Sequence, residues 1–247
     1  MYGRVFGRAF LFRFHQILIN LALHGIGYDN ARTFSYTGEM WFINKILKKE
    51  NIEVAFDVGA NVGSYSEHLV KELGCKVYAI EPASLSFTSL QKIALEHPTI
   101  HPIQTAISDR TGTAVMFSNT DRSETATLGK ELSTSASKEE VVSVTTFDEL
   151  VAQLHVQKID FIKVDTEGFE REVFSGMRNT LLELRPRYIQ FEFNVLQLYR
   201  GYTLREVTLL LPGYEFYRLL PRGWLHIDPN AFRDNIFMYS NVVAVRK

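Results

Sequence analysis

The chain has 247 residues, 46% of them hydrophobic and 22% charged, an ordinary globular composition that excludes disordered, collagen-like and low-complexity chains. Its 27 Lys and Arg against 28 Asp and Glu leave a formal charge of −1, far from the basic surplus needed to neutralise many phosphates, so nucleic acid is excluded as a partner. The single cysteine, Cys75, rules out an intrachain disulfide and a Cys-rich zinc centre, and reads as a buried thiol in a reducing, cytoplasmic setting.

From Val5 to Leu23 the chain is mostly apolar, but Arg8, Arg13, His15, Gln16 and Asn20 interrupt it. It therefore fits neither a spanning helix nor a signal peptide. No acid precedes Asp29, while Arg4, Arg8 and Arg13 are present. Two readings stay open: a helix packed on the domain or across a dimer, or peripheral contact of residues 1–24 with an anionic membrane. A second helix follows at Trp41–Leu47 and ends in Lys48-Lys49, basic residues that suit a helix C-terminus. Residues 1–50 form an N-terminal helical extension and residues 51–247 one domain.

Beyond Asn51 short apolar runs alternate with amphipathic stretches. Strands are predicted at Val54–Val58, Val77–Ile80, Ile103–Ile107, Ile159–Val164 and Tyr188–Phe193. Helices are predicted at Tyr65–Leu73, Ser86–Glu96, Glu170–Leu184 and Leu204–Leu211. This alternation specifies an α/β fold with a parallel sheet covered on both faces. After Tyr214 strand and turn signals follow without helices, which implies an antiparallel edge. The polar stretch Ser118–Glu140 reads as a solvated loop or as a lid near a ligand.

The most informative segment runs Asp57-Val58-Gly59-Ala60-Asn61-Val62-Gly63, a strand end, a glycine turn and a helix start. Gly59 and Gly63 allow a tight turn and close backbone approach to a ligand that faces helix N-terminal amides. Glu81 ends the next strand, where an acid can accept from both ribose hydroxyls of an adenosine-type cofactor. The turn lacks the Gly-x-Gly-x-x-Gly of nicotinamide folds. A carboxylate at Asp57 repels a pyrophosphate and welcomes a sulfonium or ammonium. Asp57, the glycine turn and Glu81 together point to S-adenosylmethionine.

The Asp57–Gly63 turn, Ile80-Glu81-Pro82, Ala106-Ile107-Ser108-Asp109 and the Lys163-Val-Asp165-Thr-Glu167-Gly-Phe-Glu170 block resemble FkbM-type methyltransferases over about residues 36–245. The resemblance implies the class I methyltransferase (Rossmann-like) fold, a seven-stranded, mostly parallel sheet whose last strand is antiparallel. It also implies S-adenosylmethionine as cofactor and O-methylation of a hydroxyl on a sugar, a glycan or a secondary metabolite. By the same resemblance Ser108 and Asp109 lie near the adenine.

In open α/β sheets ligands sit beyond the carboxyl ends of the strands. Asp165 follows one strand there, and Glu192 with Asn194 ends the next. Lys163 and Asp165 alternate onto one face, and Glu167 and Glu170 are neighbours at a helix start. Asp165, Glu167 or Glu192 is expected to take the proton of the acceptor hydroxyl, or some of them hold a divalent metal that acidifies it. Lys163, if buried, must pair with a carboxylate. Tyr199, Tyr202 and Trp224 read more readily as packing residues than as an acceptor pocket. The competing reading is a non-catalytic cofactor-binding or scaffold protein of the same fold.

Overall fold

The computed structural model describes residues 6–30, 36–119, 122–128 and 138–247. Arg4 and residues 120–121 and 129–137 of the predicted loop lie outside the described residues. The chain begins with α1 (Phe12–Gly25) and α2 (Glu39–Lys45), then enters the main sheet. There β1 (Val54–Val58), α3 (Ser64–Leu73), β2 (Lys76–Ile80), α4 (Ser84–Glu96) and β3 (Ile100–Ile103) follow one another. A small sheet comes next, built from β4 (Ala106–Ser108), β5 (Gly112–Asn119), β6 (Arg122–Thr127) and β7 (Lys138–Thr146). The path returns through α5 (Phe147–Gln153) to β8 (Phe161–Val164), α6 (Glu170–Ser175), α7 (Arg178–Glu183) and β9 (Tyr188–Phe193). It ends with α8 (Val195–Tyr199), α9 (Leu204–Leu209), β10 (Tyr214–Leu220), β11 (Gly223–His226) and β12 (Ser240–Arg246).

The main sheet has the order β11-β10-β12-β9-β8-β1-β2-β3. β3, β2, β1, β8 and β9 are parallel. The last strand, β12, is antiparallel and inserts between β9 and β10, as the class I arrangement requires. β11 adds an antiparallel hairpin at the edge, so the sheet has eight strands where the sequence led us to expect seven. The strand order reverses between β1 and β8, and such a switch point leaves a crevice at the carboxyl ends of the strands.

Alternation along the strands divides the core into two layers. Phe56 and Val58 of β1, Ile162 and Val164 of β8, and Ile189 and Phe191 of β9 share one cluster with Phe147 of α5, Phe174 of α6 and Val207 of α9. Ala55, Phe161 and Tyr188 face the opposite way, against Phe42 and Ile43 of α2 and Tyr65 and Leu69 of α3. Residues 39–47 thus join the core of the sheet, whereas α1 buries no residue. The helix at the N-terminus is not packed on the domain. Cys75 is buried, and that burial pushes its thiol up to about 11, in keeping with an inert structural role.

Three elements differ from the sequence expectation. The strand read as Ile103–Ile107 breaks at Gln104-Thr105, because Ala106–Ser108 leaves the main sheet to pair in parallel with β7. The helix read as Glu170–Leu184 is interrupted at Gly176-Met177. Gly176 packs so closely on β4 that a Cβ would lie 2.1 Å from the Ser108 carbonyl oxygen. The stretch Ser118–Glu140, read as a loop, contains all of β6 and the first residues of β7.

Candidate active site

The turn between β1 and α3 is built on left-handed residues, with φ of +85° at Gly59, +48° at Asn61 and +93° at Gly63. At Gly59 a Cβ would lie 1.7 Å from the Asp165 carbonyl oxygen. Only glycine lets the end of β1 lie against the end of β8. At the end of β2, Glu81 Oε2 accepts from the Asn61 N–H and Oε1 from the Ala83 N–H, both at 2.8 Å. Burial pushes the Glu81 carboxyl up to about 7 in spite of these two amides. Each oxygen keeps a lone pair for a further donor.

These residues open onto a cavity lined by Gly59, Asn61, Glu81, Pro82, Thr105, Ala106, Ile107, Met116, Asp165, Thr166, Glu167 and Phe169. Asn61 also carries a buried side-chain oxygen that finds no hydrogen-bond partner. Of the residues named from the sequence for the cofactor, Asp57, Gly63, Ser108 and Asp109 do not line the cavity. Gly63 instead caps the start of α3. Ser108 lies in β4 and its hydroxyl donates to Asp109 at 3.2 Å. Thr105–Ile107, one step earlier in the chain, occupy the wall expected of Ser108 and Asp109.

Asp57 is fully buried beneath the turn, because its place in β1 aims it with Ala55 toward α3. The Ser66 hydroxyl donates to it at 2.6 Å. The parallel register sets Asp57 beside Lys163 of β8, and Lys163 beside Gln190 of β9. Tyr65 donates to Gln190 Oε1 at 2.9 Å, and Gln190 Nε2 donates to Glu39 Oε1 at 2.8 Å. Lys163 Nζ reaches Asp165 at 2.8 Å and sits 4.5 Å from the centre of the Tyr65 ring. Burial alone would lower the lysine, but Asp165, Glu39 and Asp57 raise it and keep it charged. Lys163 is the counter-ion of a buried polar layer and does not line the cavity.

The carboxylates at the strand ends divide into two kinds. Glu170 is a loop organiser: its Oε1 accepts from Thr166 N–H, Thr166 Oγ1 and Gly168 N–H at 3.0, 3.1 and 3.3 Å. Its other oxygen accepts from Gln197 at 2.7 Å and Tyr202 at 3.2 Å. This clamp holds the turn where Glu167 and Gly168 take φ of +52° and +98°. Tyr202 is spent on it, as packing was expected to claim it.

Asp165 and Glu167 line the cavity, and half-buried Glu192 lies within their field. Burial, and then the charges of Asp165, Glu167 and Glu170, raise the Glu192 carboxyl well above the usual range. Asn194 donates to Glu192 Oε1, which leaves Oε2 as the atom to carry a proton. Tyr239, which no motif or spacing in the sequence singles out, has its phenol raised by burial and by Glu192. Asn241 Nδ2 donates to it at 3.0 Å. Tyr239, Asn194, Asp29, Leu196, Phe237 and Met238 line a groove alongside. Among the described residues, no three His, Cys, Asp or Glu side chains gather as a metal site would require.

The pattern of the family described as "Methyltransferase FkbM domain" matches residues 57–218. The chain is 29% identical over 197 residues to the hexuronic acid methyltransferase AglP of Haloferax volcanii, covering 75% of this chain and 77% of that protein. It is 28% identical over 194 residues to the 31-O-demethyl-FK506 methyltransferase FkbM of Streptomyces tacrolimicus, covering 66% and 72%. In fold it is similar to the O-methyltransferase from Bacillus cereus solved in complex with SAH. That likeness has a TM-score of 0.50 and 10% identity, and covers 94% of this chain and 90% of that one. With the glycine turn, the acid of β2 and the β8 block all inside the matched span, the chain belongs to the FkbM methyltransferase family.

Proposed function

We propose that the protein transfers a methyl group from S-adenosylmethionine to a hydroxyl of a sugar, a glycan or a secondary metabolite. The residues present suit the cofactor. Glu81, with both oxygens able to accept again, would take the ribose hydroxyls. The unpartnered oxygen of Asn61 is an acceptor waiting for a donor, and an unmet buried acceptor is costly to leave so. The apolar wall from Ala106, Ile107 and Met116 suits a flat base. When bound, the cofactor supplies a methyl group on a sulfonium, an electrophile that needs alignment more than activation.

The chain's own part is to place the acceptor and take its proton. Glu192 carries this reading: its charged neighbours Asp165 and Glu167 line the cofactor cavity, and its hydrogen-bond partner Asn194 lines the adjoining groove. A carboxylate whose proton affinity is raised is a better match to a hydroxyl than an ordinary one. Asp165, tied to Lys163, holds the field that raises Glu192. The sugar and metabolite acceptors of the two relatives, hexuronic acid and a demethylated FK506, set the first acceptors to try. Incubation with methyl-labelled S-adenosylmethionine and hexuronates or polyhydroxylated macrolides should label a hydroxyl oxygen. Label appearing on nitrogen, or only without acceptor, would sink the proposal.

A further inference from the structure

Within α1 only His15, Leu23 and His24 are half-buried and the other residues are exposed. Leu21 is 64% exposed, Phe10 just before the helix is 75% exposed, and Phe12, Phe14, Leu18 and Ile19 are exposed around them. No residue of the helix is buried. On the helix wheel Arg13, Gln16, Asn20 and His24 fall on one stripe, at spacings of three, four and four. Most of the remaining circumference is apolar. A seam between two helices covers only a narrow stripe, whereas this apolar sector is far wider. The helix is about 21 Å long, too short for the roughly 30 Å of hydrocarbon. Among the described residues no helix is long and apolar enough to cross a membrane. Arg8 and Arg13 flank its start, and no acid occurs before Asp29. A wide apolar sector, a narrow polar stripe and a segment whose sequence carries arginines but no acidic residue describe a helix that lies in the headgroup region of an anionic bilayer.

The segment that follows α1 is hydrogen-bonded to the body. The Tyr28 hydroxyl donates to the Arg233 carbonyl oxygen at 2.9 Å, and buried Arg218 donates to the Tyr28 oxygen at 2.6 Å and to Asp234 at 3.1 Å. The Asp29 N–H donates to the Tyr239 carbonyl oxygen at 2.8 Å. Asp29 and Tyr239 both line the groove beside Glu192. The helix therefore leaves the protein at the rim of the groove.

We infer that α1 is an interfacial anchor that seats the protein on an anionic lipid surface, with the groove at that surface. A lipid-carried hydroxyl compound is then the acceptor class that the groove meets. This consequence rests on the proposed methyl transfer, while the anchor itself does not. The test uses the full chain, vesicles of phosphatidylcholine with about 30% phosphatidylglycerol, and vesicles of phosphatidylcholine alone. Cosedimentation should be at least about tenfold stronger with the anionic vesicles. Phe12→Glu with Ile19→Glu should abolish it, and Arg8→Glu with Arg13→Glu should reduce it toward the neutral-vesicle level. Calorimetry with S-adenosylmethionine checks that each variant is folded, because these residues lie outside the cavity. No sedimentation of the wild type, or equal sedimentation of all variants, would overturn the inference. So would a dimer in light scattering that Phe12→Glu with Ile19→Glu dissolves, without vesicle binding by the wild type. Vesicle binding is read without turnover, so it can fail while the methyltransferase reading stands, and the reverse.

Discussion

The two sides of the crevice solve different problems. On the β1–β2 side the ligand-facing groups are mainly backbone and apolar surface, with one carboxylate, Glu81, fixed by two amides. On the β8–β9 side the charges of Asp165, Glu167 and Glu170 act on Glu192, and Lys163 pairs with Asp165 from below. The first side is organised by conformation: Gly59, Asn61 and Gly63 hold left-handed backbone. The second is organised by charge. A cofactor common to many reactions needs a fixed cradle, whereas proton removal needs a group whose affinity for protons has been tuned.

Substitutions should separate the two sides. The largest effect is expected at their junction. Gly59→Ala drives a Cβ into the Asp165 carbonyl and should cost roughly 3 kcal/mol or more of stability and abolish cofactor binding. A chemical unfolding curve within 1 kcal/mol of wild type would show that the turn can yield. Lys163→Met removes the cation facing Asp165, Asp57 and Glu39. A loss of roughly 3–5 kcal/mol is expected, as when one partner of a buried ion pair is removed. The same unfolding curve measures it.

Glu192→Gln should act on rate alone. Turnover should fall about 10²–10⁴-fold, the usual worth of a general base, with cofactor affinity unchanged in calorimetry. Because the Glu192 carboxyl is raised, its basic form accumulates as pH rises, so wild-type turnover should climb with pH while the Gln variant stays flat. The smallest effect belongs to Glu81. Its carboxyl titrates near 7, and hydroxyl donors need the ionised form. Cofactor affinity should therefore weaken as pH falls below about 7, by up to about tenfold per pH unit for a single linked proton. Stability moves the other way. A carboxyl raised from 4.5 to about 7 in the fold favours the folded state below pH 4.5, and that contribution is lost as pH rises through 7. Glu81→Ala should remove both slopes.

The glycine turn and the acid of the β1–β2 side were legible in the sequence, because their signals are local: glycines at fixed spacing and an acid at a strand end. Asp57, Gly63, Ser108 and Asp109 were read with them but do not line the cavity, and Asp57 shows why. Its partners lie on neighbouring strands and on α3, and the alternation of β1 turns it away from the crevice. The acid side was legible as a list of residues, but their division of labour was not. Glu170 and Lys163 became structural through bonds to Gln197, Tyr202 and Asp165 that no spacing reveals. Tyr239 arrives only because β12 inserts beside β9, a pairing between distant segments. The small sheet escaped for the same reason, since β4 finds β7 across more than thirty residues. Gly176 did carry a signal: a glycine inside a helical pattern marks a close approach.

The central division of labour is that Glu81 serves binding and Glu192 serves chemistry. Calorimetry with S-adenosylmethionine, its demethylated product and NAD, on wild type, Glu81→Ala and Glu192→Gln, tests it most directly. Saturable binding of the first two ligands only, weakened by Glu81→Ala and untouched by Glu192→Gln, is expected. Absence of binding, or equal weakening by both substitutions, would contradict it.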